Sequence, residues 1–175
     1  EAAAKLKALR MHGETSRYHH SLVGGNFRLD ALQAVVLHVK LPHLDSWAEG
    51  RRQNAADIER RFLEHGGKTY EEGGVGFPRQ APGCHHVFNQ FVVRVARGRR
   101  DALKDRFAEL KIGHAIYYPL ALHLQECFAY LGGRAGDFPE AERAATETLA
   151  LPVFPELTGS QKAFLAYHLA QFSRE

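Results

Sequence analysis

Six side chains that bind anions or form strong hydrogen bonds occur in a short stretch near the start of the chain. They are Arg10, Arg17, Tyr18, His19, His20 and Asn26. Guanidinium, phenol and amide groups in such a set can hold phosphate oxygens through charge-assisted hydrogen bonds. A polar surface loop would have the same composition. The residue types by themselves leave both interpretations open.

A second group of candidate residues is Tyr117-Tyr118-Pro119, which comes at the end of a predicted strand. Polar side-chain tips at the end of a strand commonly line a binding site. The alternative is a pair of aromatic core residues, and the residue types alone favour that alternative.

Histidines and cysteines offer metal ligands in two places. One is Cys84-His85-His86, and the other is His123 with Cys127 four residues further on. Neither an HExxH nor a paired CxxC motif is present, so we expect separate histidines and no metal site. No GxSxG motif, GxGxxG motif or P-loop occurs. The residues alone therefore identify no complete active site.

The secondary-structure elements predicted for the first 64 residues, which must position the first group of side chains, are mostly helices. A helix is predicted over residues 1–9 and a loop over 14–26. An apolar stripe at Leu29, Leu32, Val36 and Val39 predicts a second helix. Pro42 separates it from a third helix over about 43–64, because proline is tolerated in a first helical turn and not inside a helix. Its residues available for burial are Leu44, Trp47, Ile58, Phe62 and Leu63.

The second half of the chain predicts an α/β layer. A Gly- and Pro-rich loop over 67–83 is followed by a strand over 87–95, a helix over 100–111 and a strand over 114–118. Short helices are predicted over 122–131 and 139–149. Thr158 and Gln161 have the spacing of a capping box that opens a terminal helix.

Composition sets the broad class. The chain has 175 residues, 45% hydrophobic and 25% charged, which is typical of one globular domain, or of one plus a fragment of another. The net charge of +3 is unlike a nucleic-acid-binding protein but suits small anionic ligands. No apolar run predicts a membrane span, and no signal peptide is visible. The two cysteines indicate a reducing, cytoplasmic location.

Four motifs together resemble a known family. They are GxNxRLDxLQA from Gly24, YPxxLHLQ from Tyr118, GDFPxAE from Gly136 and LPxxPEL from Leu151. In this order they resemble the PLP-dependent sugar-nucleotide aminotransferases of the DegT–DnrJ–StrS type, and the likeness covers nearly the whole chain. The resemblance implies a fold-type-I transaminase, a homodimer, that moves an amino group, usually from glutamate, to a nucleotide-linked keto sugar.

The resemblance also assigns roles to individual residues. Asn26 corresponds to the asparagine that reaches across a homodimer interface to the cofactor phosphate. Arg10 and Tyr18 correspond to contacts with the nucleotide diphosphate of the substrate. Tyr117 and Tyr118 correspond to residues that line the sugar site. The family usually has histidine where Tyr117 stands, which changes the donor and acceptor at that position and leaves the identity of the sugar open.

The resemblance places this chain at the C-terminal part of such an enzyme. Residues 1–66 would be the end of the large PLP-binding domain with its long connecting helices, and residues 67–175 the small α/β domain. The Schiff-base lysine belongs to a part of the family fold before residue 1, so we expect no catalytic residue in this chain and no transamination by the chain alone.

Two other hypotheses remain open from the sequence. One is a catalytically dead partner of a full-length subunit, and the other is a stand-alone ligand-binding or regulatory α/β domain. For a chain without the rest of the large domain, we expect the face over residues 29–63 to expose leucine and valine side chains that are normally buried and to promote self-association.

Overall fold

The computed structural model describes all 175 residues and divides the chain into two compact units. The N-terminal unit comprises residues 1–44 and the C-terminal unit residues 45–175. The boundary predicted at residues 66–67 refers to the domains of the longer family fold and stays a prediction. None of the helices combines the length and the apolar character that a membrane span requires.

The N-terminal unit contains two helices and a small hairpin. Its elements are α1 (Ala2–Arg10), β1 (Glu14–Ser16), β2 (His19–His20) and α2 (Ala31–Lys40). β1 and β2 pair in antiparallel fashion inside the segment that was predicted as a loop. Asp30 caps α2, since its carboxylate accepts a hydrogen bond of 2.8 Å from the backbone N–H of Leu32.

The apolar stripe of α2 lies at the surface, because α2 has no buried residue. Leu32 is 80% exposed and Val36 55% exposed. This agrees with the leucine and valine exposure expected over residues 29–63, and Leu63 at the end of that range is also 51% exposed. Ile58 and Phe62, in the second half of the next helix, are fully buried.

Pro42 separates two helices, as predicted. A 3-10 turn (Leu41–His43) with proline in its first positions follows α2 and precedes α3 (Leu44–Glu64). Of the five residues of α3 that were available for burial, Leu44 and Leu63 remain half exposed.

The C-terminal unit is built on a three-stranded antiparallel sheet of order β3-β4-β5. The strands are β3 (Val75–Gly76), β4 (Phe91–Val95) and β5 (Thr148–Leu151), and Phe91 of β4 pairs with Leu151 of β5. Phe91, Val93 and Val95 face the core, as the alternation predicted. The remaining helices are α4 (Arg100–Glu109), α5 (Pro139–Glu147) and α6 (Gly159–Arg174). The core joins residues of α3, α4, α6 and the sheet.

Three predicted elements of the C-terminal unit are corrected. The strand predicted over 87–95 begins only at Phe91, and the strand predicted over 114–118 is reduced to a single bridge between Ala115 and Ala150. The helix predicted over 139–149 ends at Glu147, and Thr148 starts a fully buried strand. Leu149 fits a helical stripe and a buried strand equally well, and the cross-strand partner in β4 decides between them.

A polar network connects α3 to α6 and to the segment before α6. The amide of Asn54, which is buried, donates to the carbonyl of Phe154 at 2.8 Å and accepts from Lys162 Nζ at 3.0 Å. Lys162 also pairs with Asp57 at 3.1 Å. Burial opposes ionisation of Asp57, but hydrogen bonds from Lys162, Arg60 and Arg61 outweigh it and lower its pKa from 3.8 to about 2.

We expect Asp57→Asn to lower the free energy of unfolding at pH 7 by about 2 kcal/mol, as the pKa shift implies. The pKa of Asp57 is lower in the folded state than in the unfolded state. Its contribution is therefore complete above pH 3.8 and is lost as the pH falls toward about 2. Urea unfolding across this range measures the difference between variant and wild type. Asp105→Asn, at a 69% exposed side chain, is the control and should change little. A difference for Asp57→Asn that does not shrink below pH 3.8 would contradict the assignment.

Candidate functional site

Backbone pairing holds Arg10 next to the segment that contains Asn26. The carbonyl of Arg10 accepts from the N–H of Phe27 at 3.1 Å, and Met11 forms an antiparallel bridge with Asn26. Gly24 permits this close approach, since a Cβ there would lie 2.5 Å from the carbonyl oxygen of Leu9. The glycine and asparagine of the GxNxR motif are thus attached to the end of α1.

Tyr18 occupies the turn of the β1–β2 hairpin and is 76% exposed. Its backbone N–H donates to Glu14 Oε1 at 2.8 Å. Arg17 Nη2 donates to the phenol oxygen at 3.3 Å, and the Arg17 guanidinium lies 5.1 Å from the centre of the ring.

A cavity of about 510 Å³ in the N-terminal unit is lined mainly by cationic and small polar groups. Lys7, Arg10 and Arg17 contribute to its lining, and Glu14 is its only acidic residue. The excess of positive charge suits a phosphate or diphosphate. Sequence reasoning missed Lys7, although its position three residues before Arg10 on a predicted helix places it on the same face.

The structure brings only some of the predicted anion-binding residues to this cavity. Arg10 and Arg17 line it, whereas Tyr18 and Asn26 do not. Tyr18 contacts Arg17, which does line it. Asn26 Oδ1 accepts from Arg28 Nε at 3.0 Å, and this leaves the amide N–H groups of Asn26 for another acceptor. The roles assigned to Asn26, Arg10 and Tyr18 stay predictions.

Tyr117 and Tyr118 lie in the C-terminal unit with rings 5.9 Å apart. Tyr117 is 42% exposed and Tyr118 69% exposed, so the alternative of an aromatic core pair is wrong. Tyr117 lines a cavity of about 440 Å³ and Tyr118 does not. Their proposed role in sugar binding is not tested by this arrangement.

Two of the sequence motifs contact each other. His123 of YPxxLHLQ and Glu142 of GDFPxAE are 3.0 Å apart, from Nε2 to Oε1. Glu142 also accepts from the backbone N–H of Gly136 at 2.8 Å, and this bond is the main reason that its pKa lies below the ordinary value. The pair fixes the 136–142 turn against the segment after Pro119.

The histidines and cysteines do not form a cluster. Cys84 and Cys127 are exposed and free, and His123 pairs with Glu142. No three His, Cys, Asp or Glu side chains converge anywhere in the 175 residues.

A model of the DegT/DnrJ/EryC1/StrS aminotransferase family matches residues 1–166. The chain belongs to this family. The fold of this DegT-type chain is an α/β part of a PLP sugar aminotransferase fold.

Two curated relatives illustrate the similarity of this DegT-type chain. It is 43% identical to the pleiotropic regulatory protein of Geobacillus stearothermophilus, covering 99% of this chain and 45% of that protein. It is 39% identical to UDP-N-acetyl-3-dehydro-alpha-D-glucosamine 3-aminotransferase of Acidithiobacillus ferrooxidans, covering 95% of this chain and 42% of that enzyme. The chain thus spans less than half the length of these relatives.

A solved structure agrees with the assignment. DesV of S. venezuelae in complex with a ketimine intermediate superposes with a TM-score of 0.86 at 32% identity. The match covers 99% of this chain and 44% of DesV. Together with the family match, this coverage fits a C-terminal part of the family fold.

Proposed function

We propose that this chain is the C-terminal part of a PLP-dependent aminotransferase that transfers an amino group from glutamate to a nucleotide-linked keto sugar. The observation that carries the proposal is the family match over residues 1–166. The A. ferrooxidans relative supports the substrate class, since its name describes an aminotransferase of a UDP-linked sugar.

The N-terminal unit fits phosphate groups. Its cavity is lined by Lys7, Arg10 and Arg17 and by a single carboxylate, that of Glu14. The side-chain oxygen of Asn26 accepts from Arg28, so the side-chain N–H groups of Asn26 remain available as donors. In the proposal, Asn26 donates to the phosphate of PLP across a homodimer interface. When bound, PLP supplies the electron sink that amino transfer requires.

The remaining site residues bind and orient the substrate. Arg10 and Tyr18 hold the nucleotide diphosphate through charge-assisted hydrogen bonds, and Arg17 orients the Tyr18 phenol. The proposal assigns contact with the sugar to Tyr117 and Tyr118, as the resemblance implies. A neutral phenol at Tyr117 donates one hydrogen bond and cannot carry the positive charge that histidine can.

We assign no catalytic residue within residues 1–175. Lys5 and Lys7 lie on α1, and the resemblance places neither at the position of the Schiff-base lysine. Without a lysine at the position that forms the covalent link to the cofactor, the chain alone is expected not to transaminate.

One observation favours a second candidate function. The Geobacillus relative, at 43% identity, is named a pleiotropic regulatory protein. This name supports a regulatory role, and for such a role we propose that the same residues bind a nucleotide sugar without turning it over.

The test of the proposed function uses the protein encoded by the complete native open reading frame that contains this chain. We expect it to show the visible absorbance of bound PLP and to aminate a nucleotide-linked keto sugar with glutamate. Asn26→Ala should weaken PLP binding about 10- to 100-fold, because a hydrogen bond to a charged group contributes roughly 1.5–3 kcal/mol.

Gln33→Ala is the matched control, since it removes an exposed amide from the same unit, and it should change PLP affinity less than about twofold. Sugar-nucleotide binding without turnover or PLP absorbance would favour the regulatory role. PLP binding that Asn26→Ala leaves unchanged would refute the assignment of Asn26.

A further inference from the structure

The cavity beside Tyr117 contains a cation that none of the assigned roles uses. Arg51 of α3 lines this cavity of about 440 Å³, together with Asn89, Gln90 and His114. No aspartate or glutamate lines it, so Arg51 is its only residue of fixed charge. An open depression with one unopposed guanidinium attracts an anion.

The backbone positions Arg51 but leaves most of its donors unused. Its Nε donates to the carbonyl of Val87 at 3.0 Å, and no ion pair or other hydrogen bond engages the guanidinium. An arginine side chain has five N–H donors in a planar fork. The terminal nitrogens, anchored through Nε, are thus available for the bidentate contact that a carboxylate makes.

The lining of the cavity contains few groups that could replace the water around a strongly hydrated anion. Apart from the polar residues named above, the lining is apolar or backbone and includes Phe91, Leu151 and Pro155. A single cation with apolar walls suits a monoanionic carboxylate on a short hydrocarbon chain better than a phosphate dianion, which needs more donors to replace its water.

The other polar groups of the lining differ in what they offer a carboxylate. His114 Nδ1 donates to the carbonyl of Ile112 at 2.9 Å, which fixes the ring and leaves Nε2 of the neutral ring as an acceptor, so His114 supplies no hydrogen bond to an anion. The phenol of Tyr117 and the amides of Asn89 and Gln90 can donate to a carboxylate oxygen. The bridge between Ala115 and Ala150, at 2.7 Å from N to O, holds the base of the cavity in place.

We propose that Arg51 binds a carboxylate of the amino donor in the cavity beside Tyr117. This inference rests on the proposed function for the identity of the donor. It makes Arg51 the residue that distinguishes a dicarboxylic amino acid from an uncharged amine.

The first experiment measures binding of glutarate to the 175-residue chain by shifts of backbone amide signals in nuclear magnetic resonance spectra. We expect saturable shifts at residues of the cavity, such as Gln90 and Ala115. Arg51→Gln should weaken glutarate binding at least about tenfold. Arg51→Lys keeps the positive charge but loses the planar set of N–H donors, so its glutarate affinity should lie between those of the wild type and Arg51→Gln.

Arg52→Gln is the matched control. Arg52 also lies on α3 and donates to the neighbouring carbonyl of His86 at 3.1 Å, but it does not line the cavity. The Arg52→Gln variant therefore removes a hydrogen bond to the backbone without changing the charge of the cavity. Its affinity for glutarate should stay within about twofold of the wild-type value. Inorganic phosphate should bind more weakly than glutarate. Equal binding of phosphate, absence of saturable shifts, or shifts that persist in Arg51→Gln would each overturn the proposal.

The second experiment uses the protein encoded by the complete open reading frame. Arg51→Gln should raise the KM for glutamate at least about tenfold and leave the KM for the nucleotide sugar within twofold. If that protein shows no transamination while glutarate binding still depends on Arg51, the proposed function fails and the carboxylate site stands. If transamination is present and the glutamate KM is unchanged in Arg51→Gln, the carboxylate site fails alone.

Discussion

Phe62→Ala is expected to lower the free energy of unfolding of the C-terminal unit by about 3–5 kcal/mol. Phe62 is fully buried, and its ring meets that of Phe77 at 5.1 Å between centroids in an edge-on arrangement. A Cβ on Gly67 would lie 2.4 Å from its ring, so the chain packs closely around it. Such a loss is a large fraction of the stability of an ordinary domain.

The neighbouring residue provides the control for this prediction. Leu63 follows Phe62 on α3 and is 51% exposed, so Leu63→Ala should cost about 1 kcal/mol or less. Urea unfolding followed by circular dichroism measures both variants against wild type. Equal losses for the two variants would show that α3 does not present Phe62 to the core.

The chain is expected to self-associate through α2, and charges on this helix should abolish the association. Leu32, Val36 and Val39 are 80%, 55% and 63% exposed. Exposed apolar patches of this kind mark interaction surfaces. We expect the wild-type chain to elute in size-exclusion chromatography above its monomer mass of 19.6 kDa, and Leu32→Glu/Val36→Lys to elute at that mass.

A second variant of α2 separates surface apolarity from a general effect of charge. Gln33→Glu adds a charge to the same helix without removing an apolar side chain, and its elution should follow that of the wild type. The prediction is refuted if the wild-type chain runs as a stable monomer at high concentration, or if the double variant associates to the same extent.

Local chemistry determined several elements of this fold directly. The Thr158 and Gln161 side chains form the predicted capping box at the start of α6. Pro42 lies in a 3-10 turn between two helices, and the alternation in β4 buries Phe91, Val93 and Val95. The capping box and the proline turn join residues close in sequence, and the alternation of β4 is a local pattern of residue types, so the sequence contains all three signals.

Elements that depend on distant partners were predicted less well. Residues 87–90 were predicted as the start of the strand, yet β4 begins at Phe91, where Leu151 supplies the cross-strand partner. The hairpin of residues 14–20 is short and polar and gives no periodic signal. Pairing energy resides in contacts between strands, and a single-sequence pattern does not show which partner is present.

Some features of the candidate site could be predicted from the sequence, and others could be seen only in the tertiary structure. Residue types and the family resemblance singled out Arg10, Tyr18, Asn26, Tyr117 and Tyr118, and the motifs indicated the family that the family model then matched. Only the tertiary structure showed that Lys7 joins Arg10 and Arg17 around one cavity and that Arg51 lines another without an acidic partner. The physical reason is that a motif records residue types along the chain, whereas the charge balance of a cavity depends on side chains that folding brings together from separate segments.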